Sequence, residues 1–155
     1  MIVVSDTTAI TTLLKAGMEG LLSELFGSIT IPRGVWEELM AFHSHLPNFV
    51  LMRPVARADG LLPRTESLGR GEAEAITLAD EIDADLLLTD DLKARSVAAA
   101  LNMKCTGLLG VLIHGKQRGH VASVKEAIRT LEARGGLYLS DVVKAEALKI
   151  AGEID

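Results

Sequence analysis

The chain has 155 residues, of which 48% are hydrophobic and 24% charged, the size and balance of one folded domain rather than of a disordered segment. A single cysteine, Cys105, excludes an internal disulfide or a cysteine-rich zinc site and favours a reducing, cytoplasmic setting. The net charge of −5 argues against a broad basic surface for nucleic acid.

Taken in chain order, Ile2-Val3-Val4-Ser5 reads as a first strand closed by Asp6, followed by helices over 7–16 and 19–26. A strand over 28–31 leads through Pro32 into a helix over 33–45, and a third strand spans 49–54. Residues 55–69, with Pro63 and few β-branched side chains, read as a connecting loop. A helix over 70–83, a strand over 85–88, a helix over 92–101 and a strand over 103–105 come next, then helices over 107–117, 123–134 and 141–151. Gly17, Gly27, Gly119 and Gly135-Gly136 punctuate the joins, as helix ends often do. Strands alternating with helices predict a three-layer α/β/α fold around a central, mostly parallel sheet. One domain over 1–155 is expected, with a C-terminal helical extension from about 120. No apolar run approaches the ~18 residues of a membrane helix, and Met1 to Val4 is too short for a signal peptide.

Open α/β sheets bind ligands beyond the carboxyl ends of their strands. Asp6 and the pair Asp90-Asp91 follow strands directly, and the helices carrying Glu38 and Glu72 begin at that same edge. Four acidic loci, distant in sequence, are thus predicted to meet. Val35, Leu39 and Phe42, at i, i+4 and i+7, mark a core-facing stripe, with Glu38 beside it and Glu37 turned to solvent. Glu72 shares a face with Ile76 and Ala79, whereas Glu74 turns away. At the fourth locus either Asp90 or Asp91 takes part and the other caps the helix over 92–101; Asp90 is favoured. Capping alone also suits Asp6, Asp90 and Asp91, and a helix dipole suits Glu72, so the joint arrangement carries the reading.

Two carboxylates about 4 Å apart repel by roughly 4 kcal/mol at an effective dielectric near 20, so four in one place call for a cation. An all-oxygen donor set suits Mg²⁺ or Mn²⁺ rather than zinc. Such an ion activates water and neutralises phosphate charge, and phosphodiester hydrolysis is the natural reaction. Of 21 acidic residues against 16 basic ones, the four loci account for most of the excess.

These residues resemble the PIN-domain nucleases: Ser5-Asp6-Thr7-Thr8, Ile31-Pro32 with Val35-Trp36-Glu37-Glu38-Leu39, Leu68-Gly69-Arg70-Gly71-Glu72-Ala73-Glu74-Ala75-Ile76, and Leu87-Leu88-Thr89-Asp90-Asp91 with Arg95. Many members are VapC-like toxins of toxin–antitoxin pairs. The resemblance runs from Ile2 to about Gly119; beyond it, Gly136-Leu137-Tyr138-Leu139-Ser140 and the last helix look like a PIN-like subgroup whose members mostly lack a tested activity. It implies a metal-dependent ribonuclease acting on single-stranded RNA, with Asp6, Glu38, Glu72 and one of Asp90 or Asp91 as the acidic quartet. Thr8 matches a hydroxyl position near the first acid. The third acid is more often Asp in typical members, so Glu72 is one methylene longer. An antitoxin protein and a homodimeric state are the partners implied.

Arg70, Lys93 and Arg95 flank the loci and suit RNA phosphates, or are plain surface charges. Aromatic residues make up 3% of the chain, too few for a base-stacking platform, and Trp36 suits core or interface better. His43 and His45, two apart, do not share a helical face and read as surface residues near a helix end, His114 and His120 have no carboxylate or cysteine neighbour suggesting zinc, and Cys105 is expected to be buried and inert. The stripe Val124-Ala127-Ile128-Leu131 and the apolar residues of 142–150 are expected to pack on the domain or form an interface. A dehalogenase-type phosphatase needs a second Asp two residues after the first, where Thr8 stands, and a receiver domain needs an acidic pair after its first strand. The rival function is a PIN-like module that binds RNA or protein without cutting.

Overall fold

The computed structural model describes residues 1–57 and 60–153. Among them five strands and eight helices alternate: β1 (Val3–Ser5), α1 (Thr7–Ala16), α2 (Gly20–Phe26), β2 (Ile29–Ile31), α3 (Arg33–Phe42), β3 (Val50–Met52), α4 (Arg70–Glu81), β4 (Leu86–Leu88), α5 (Leu92–Ala100), β5 (Cys105–Thr106), α6 (Leu108–Gln117), α7 (Val124–Arg134) and α8 (Asp141–Ile150). Every strand pairing is parallel, in the order β3-β2-β1-β4-β5. The expected α/β fold with a mostly parallel sheet is therefore present, and here the sheet is wholly parallel.

Such a sheet is apolar on both faces because helices cover both. Along β1 and β4 successive side chains separate into two cores. Val3 and Leu88 join Ile29, Ile31 and buried residues of α1, α2, α3, α6 and α7 on one face. Val4 and Leu87 join α4 and α5 on the other. The strand order reverses at β1, whose neighbours are β2 on one side and β4 on the other. The carboxyl ends of β1 and β4 thus flank the switch point where open α/β sheets leave a crevice.

Several expected boundaries move. The helix over 33–45 ends at Phe42, since His43 is already extended at φ −126°, and the strand over 49–54 shrinks to Val50–Met52. Phe42 is 83% exposed and is no part of the core stripe. It keeps the phase of Val35, but the helix has carried it roughly 10 Å further along its axis, past the elements that bury Val35 and Leu39. The described part of 55–69 holds neither helix nor strand, as expected; Ala58 and Asp59 within it, and Ile154 and Asp155 of the C-terminal extension, lie outside the described residues. Trp36 is part-exposed beside Met40, Leu46 and Pro47.

The last helices are anchored by a carboxylate. Glu153 accepts hydrogen bonds from the backbone N–H of Val124 at 2.6 Å and of Lys125 at 3.1 Å, from Ser123 Oγ at 3.2 Å and from Lys116 Nζ at 2.7 Å. It satisfies the open N–H groups at the start of α7 and ties them to α6. The Lys116 ammonium, with these amides, holds its carboxyl down at about 2. The stripe Val124-Ala127-Ile128-Leu131 is buried, as expected. On α8 only Ala147 is, and Val142, Val143 and Ile150 stay exposed together with Tyr138.

Candidate active site

Asp6 is the N-cap of α1. Its carboxylate accepts from the backbone N–H of Ala9 at 3.3 Å, and its own N–H donates to Leu88 O of β4 at 3.1 Å. Only 2% of the residue is exposed. Burial is the main cause that raises its carboxyl from 3.8 to about 6; hydrogen bonds from the Thr89 hydroxyl and Ala9 pull it down, and the charges of Glu72 and Asp90 push it further up. A capping role therefore coexists with a carboxylate whose charge is poorly compensated.

Asp90 and Asp91 divide their work. Asp91 caps α5, accepting from the N–H of Ala94 at 2.8 Å, while Asp90 accepts from the N–H of Leu108, the first residue of α6, at 3.1 Å. Asp91 is thus the cap of the helix over 92–101, as the favoured reading had it, while Asp90 in turn caps the start of α6. Asp90 lies over Gly107, where a Cβ would collide with its carboxylate, and Arg95 Nη1 would be 3.2 Å from the same Cβ.

Glu72 in the first turn of α4 lies over Gly69, its Oε2 only 2.7 Å from where a Cβ would stand. Glu72, Asp90, Asp91, Ser67, Leu68, Leu92 and Lys93 line an open cavity of about 550 Å³. Leu92, 82% exposed, stands at its rim.

Glu38 stands elsewhere than the stripe implied. With Phe42 outside the core, its face of α3 is exposed, and the side chain crosses to the start of α4. Thr7 Oγ1 donates to Glu38 Oε2 at 2.7 Å, and Oε1 would be 2.8 Å from a Cβ on Gly71. Glu38 thus sits between the neighbours of Asp6 and Glu72, near the positive end of α4. The fold brings all four loci to one edge, although among the described residues no three His, Cys, Asp or Glu side chains close around a common point.

The remaining expectations separate. Arg70 is not a free phosphate ligand: its guanidinium bonds Glu74 at 2.7 Å and Glu37 at 2.6 Å. Glu37 is therefore paired rather than merely solvated. Glu74 does not turn to water; its side chain is 12% exposed and accepts from the N–H of Gly34 at 2.9 Å. Helical phase identified the face of Glu74 but not that α3 packs against it. Thr8 is exposed, and the hydroxyls that touch the acids belong to Thr7 and Thr89. Thr89, buried at the end of β4, bonds Asp6 and also accepts from the N–H of Asp91 at 3.2 Å. A hydroxyl residue directly before an acidic pair at a strand end was the signal for it. His120 pairs with Glu24 at 2.8 Å and His114 stacks on Phe26. Cys105 is half-buried, and burial pushes its thiol up, as an inert cysteine requires.

As a donor set these residues are all oxygen, with one carboxylate buried and two facing open space. That chemistry fits a hard divalent ion. Mg²⁺ in particular keeps several waters and uses only one or two carboxylates, so an open group suits it better than a closed cage. Asp6, with Glu72 and Asp90 as its charged neighbours, offers the oxygens nearest to such an ion, although among the described residues no three of these side chains stand close enough to hold one as placed.

The wholly parallel α/β/α sheet carries acids at its switch point, an arrangement that the PIN class of domain shares with other phosphate-handling folds. The DUF3368 family model, a PIN domain, matches residues 2–153, and the chain belongs to that family. PIN domains are typically nucleases and generally use divalent metal ions. The fold is similar to that of a PilT N-terminus domain protein from the hyperthermophilic archaeon Sulfolobus solfataricus, with a TM-score of 0.57 and 20% identity over 72% of this chain and 91% of that one. No curated protein matches the chain.

Proposed function

We propose that this chain is an endoribonuclease that hydrolyses phosphodiester bonds of single-stranded RNA with Mg²⁺ or Mn²⁺. The observation that carries this reading is the buried carboxylate of Asp6 at the switch point, raised to about 6 with Glu72 and Asp90 as its charged neighbours. Asp6, Glu72 and Asp90 would hold the ion, which when bound would supply an activated water and neutralise charge on the scissile phosphate. Thr89 and Ala9 fix the direction of the Asp6 carboxylate. Glu72 and Asp90 face the open cavity, where a phosphate arrives from solvent. Glu38, with Oε2 occupied by Thr7, keeps Oε1 to take a proton from water. Lys93 and Arg95 enter no ion pair among the described residues and are left to meet RNA phosphates.

In the cell we assign it the part of toxin in a cytoplasmic toxin–antitoxin pair, acting as a homodimer. The exposed apolar side chains of Tyr138, Val142 and Ile150 suit a protein partner. Labelled single-stranded RNA incubated with purified protein tests the chemistry. Cleavage is expected with Mg²⁺ or Mn²⁺, none with EDTA, and none with Asp6→Asn. Uncut RNA under every condition, with binding indifferent to metal, would favour a non-cleaving PIN-like binding module. That second reading draws on the absence of a closed three-acid group among the described residues.

A further inference from the structure

Helices α3 and α4 both begin at the carboxyl edge, and each leans a glutamate onto a glycine of the other. Glu74 in the second turn of α4 lies against Gly34, where a Cβ would be 3.0 Å from its carboxylate. Glu38 in the second turn of α3 lies against Gly71, where a Cβ would be 2.8 Å away. The two contacts are reciprocal but not equivalent. Pro32, the N-cap of α3, makes no side-chain capping bond. Glu74 replaces it from the neighbouring helix, accepting the N–H of Gly34 at 2.9 Å. Its second oxygen receives Arg70 Nε at 2.7 Å, and the same guanidinium reaches back to Glu37 of α3 at 2.6 Å. Three charged side chains therefore clasp the two helices at the end where they carry Glu38 and Glu72.

Each clasp residue stands one or two positions from a site acid: Glu37 precedes Glu38, while Arg70 and Glu74 bracket Glu72. A shift of α3 along α4 would change the separation of the two acids directly. A surface ion pair contributes little by itself, but Glu74 is mostly buried and has both oxygens occupied, so the clasp has one geometry.

We infer that Glu74 is a positioning residue for the divalent-ion site: by capping α3 from α4 and holding Arg70 against Glu37, it fixes the start of α4, and with it Glu72, against α3 and its Glu38. The inference rests on the reading of the acids as a metal site. Outer partners that orient metal ligands typically change affinity or activity by about 10–100-fold when removed.

Mn²⁺ titration followed by electron paramagnetic resonance, on wild type, Glu74→Ala and Glu74→Gln, provides the test. Amide hydrogen exchange at Gly34 in the metal-free proteins is the second readout. Glu74→Ala is expected to weaken Mn²⁺ binding by at least about tenfold and to speed exchange at Gly34. Glu74→Gln, which keeps an oxygen for the Gly34 N–H, is expected to recover most of both. Wild-type affinity in a folded Glu74→Ala protein would overturn the inference and leave the metal site standing. Wild type that takes up no Mn²⁺ would overturn the site itself and this inference with it. Equal losses in Ala and Gln would overturn the capping role.

Discussion

Replacing Asp6 by Asn isolates the cost of keeping a charge at the end of β1. The carboxyl rises from 3.8 to about 6, with burial as the first cause, a shift of roughly two units at about 1.36 kcal/mol each. With only 2% of the residue exposed, solvent screens little of this, and the ionised side chain costs the fold on the order of 3 kcal/mol at neutral pH. Asn caps a helix as well as Asp, and its oxygen still accepts from Ala9. The metal-free Asp6→Asn protein is therefore expected to be more stable than wild type by about 2–3 kcal/mol at pH 7.5, a rise in Tm of roughly 4–12 °C for a chain of this length. The sign follows from linkage: the folded state holds the Asp6 proton more tightly than the unfolded state. The contribution of Asp6 is fully present below its ordinary value and is lost as pH climbs through about 6. The advantage of Asn should thus vanish at about pH 3, below the ordinary value of 3.8. Urea denaturation in EDTA at both pH values measures it, and repeating the pH 7.5 series with Mn²⁺ should raise wild type alone. A less stable Asn variant at pH 7.5, or an equal difference at both pH values, would refute the electrostatic account of Asp6.

Gly107→Ala places a methyl group against the Asp90 carboxylate; a drop of about 1–3 kcal/mol in stability to heat or urea is expected, and Mn²⁺ binding should fall with it. Lys93→Ala with Arg95→Ala should weaken single-stranded RNA binding and flatten its salt dependence by about 0.7 for each phosphate the protein no longer neutralises, read by fluorescence anisotropy across a salt series with Ca²⁺ in place of Mg²⁺. Glu153→Gln should lower Tm by about 3 °C or more at neutral pH. Because the Glu153 carboxyl is held at about 2, its stabilisation is present above the ordinary glutamate range and lost as pH falls towards 2, so the two proteins should converge in acid.

The five strands and eight helices were legible because short β-branched and leucine runs and helical stripes are local patterns, and glycines mark their ends. The edge shared by Asp6, Glu38, Glu72 and Asp90 was legible too, since it follows from which end of a parallel strand each residue occupies. Helical phase failed where a partner decides the outcome. Phe42 had the right phase but no neighbour to bury it. Glu74 had the wrong phase for its own helix's core but faced the open end of α3. Arg70 looked like a ligand for phosphate and was already held by two acids. None of these pairings is written in the spacing of one segment, because each depends on how two helices cross.

The position of β1 in the middle of the sheet has a bearing on synthesis. Its two neighbours are β2, which follows closely, and β4, which arrives only after α3, β3 and α4. A polypeptide still emerging from the ribosome can pair β1 with β2, yet it leaves Asp6 without Thr89, Asp90 or the cover they provide. The crevice is thus completed only once β4 is in place. Contacts so distant along the chain form slowly, and until they form a nascent copy carries Asp6 without the neighbours that bury it.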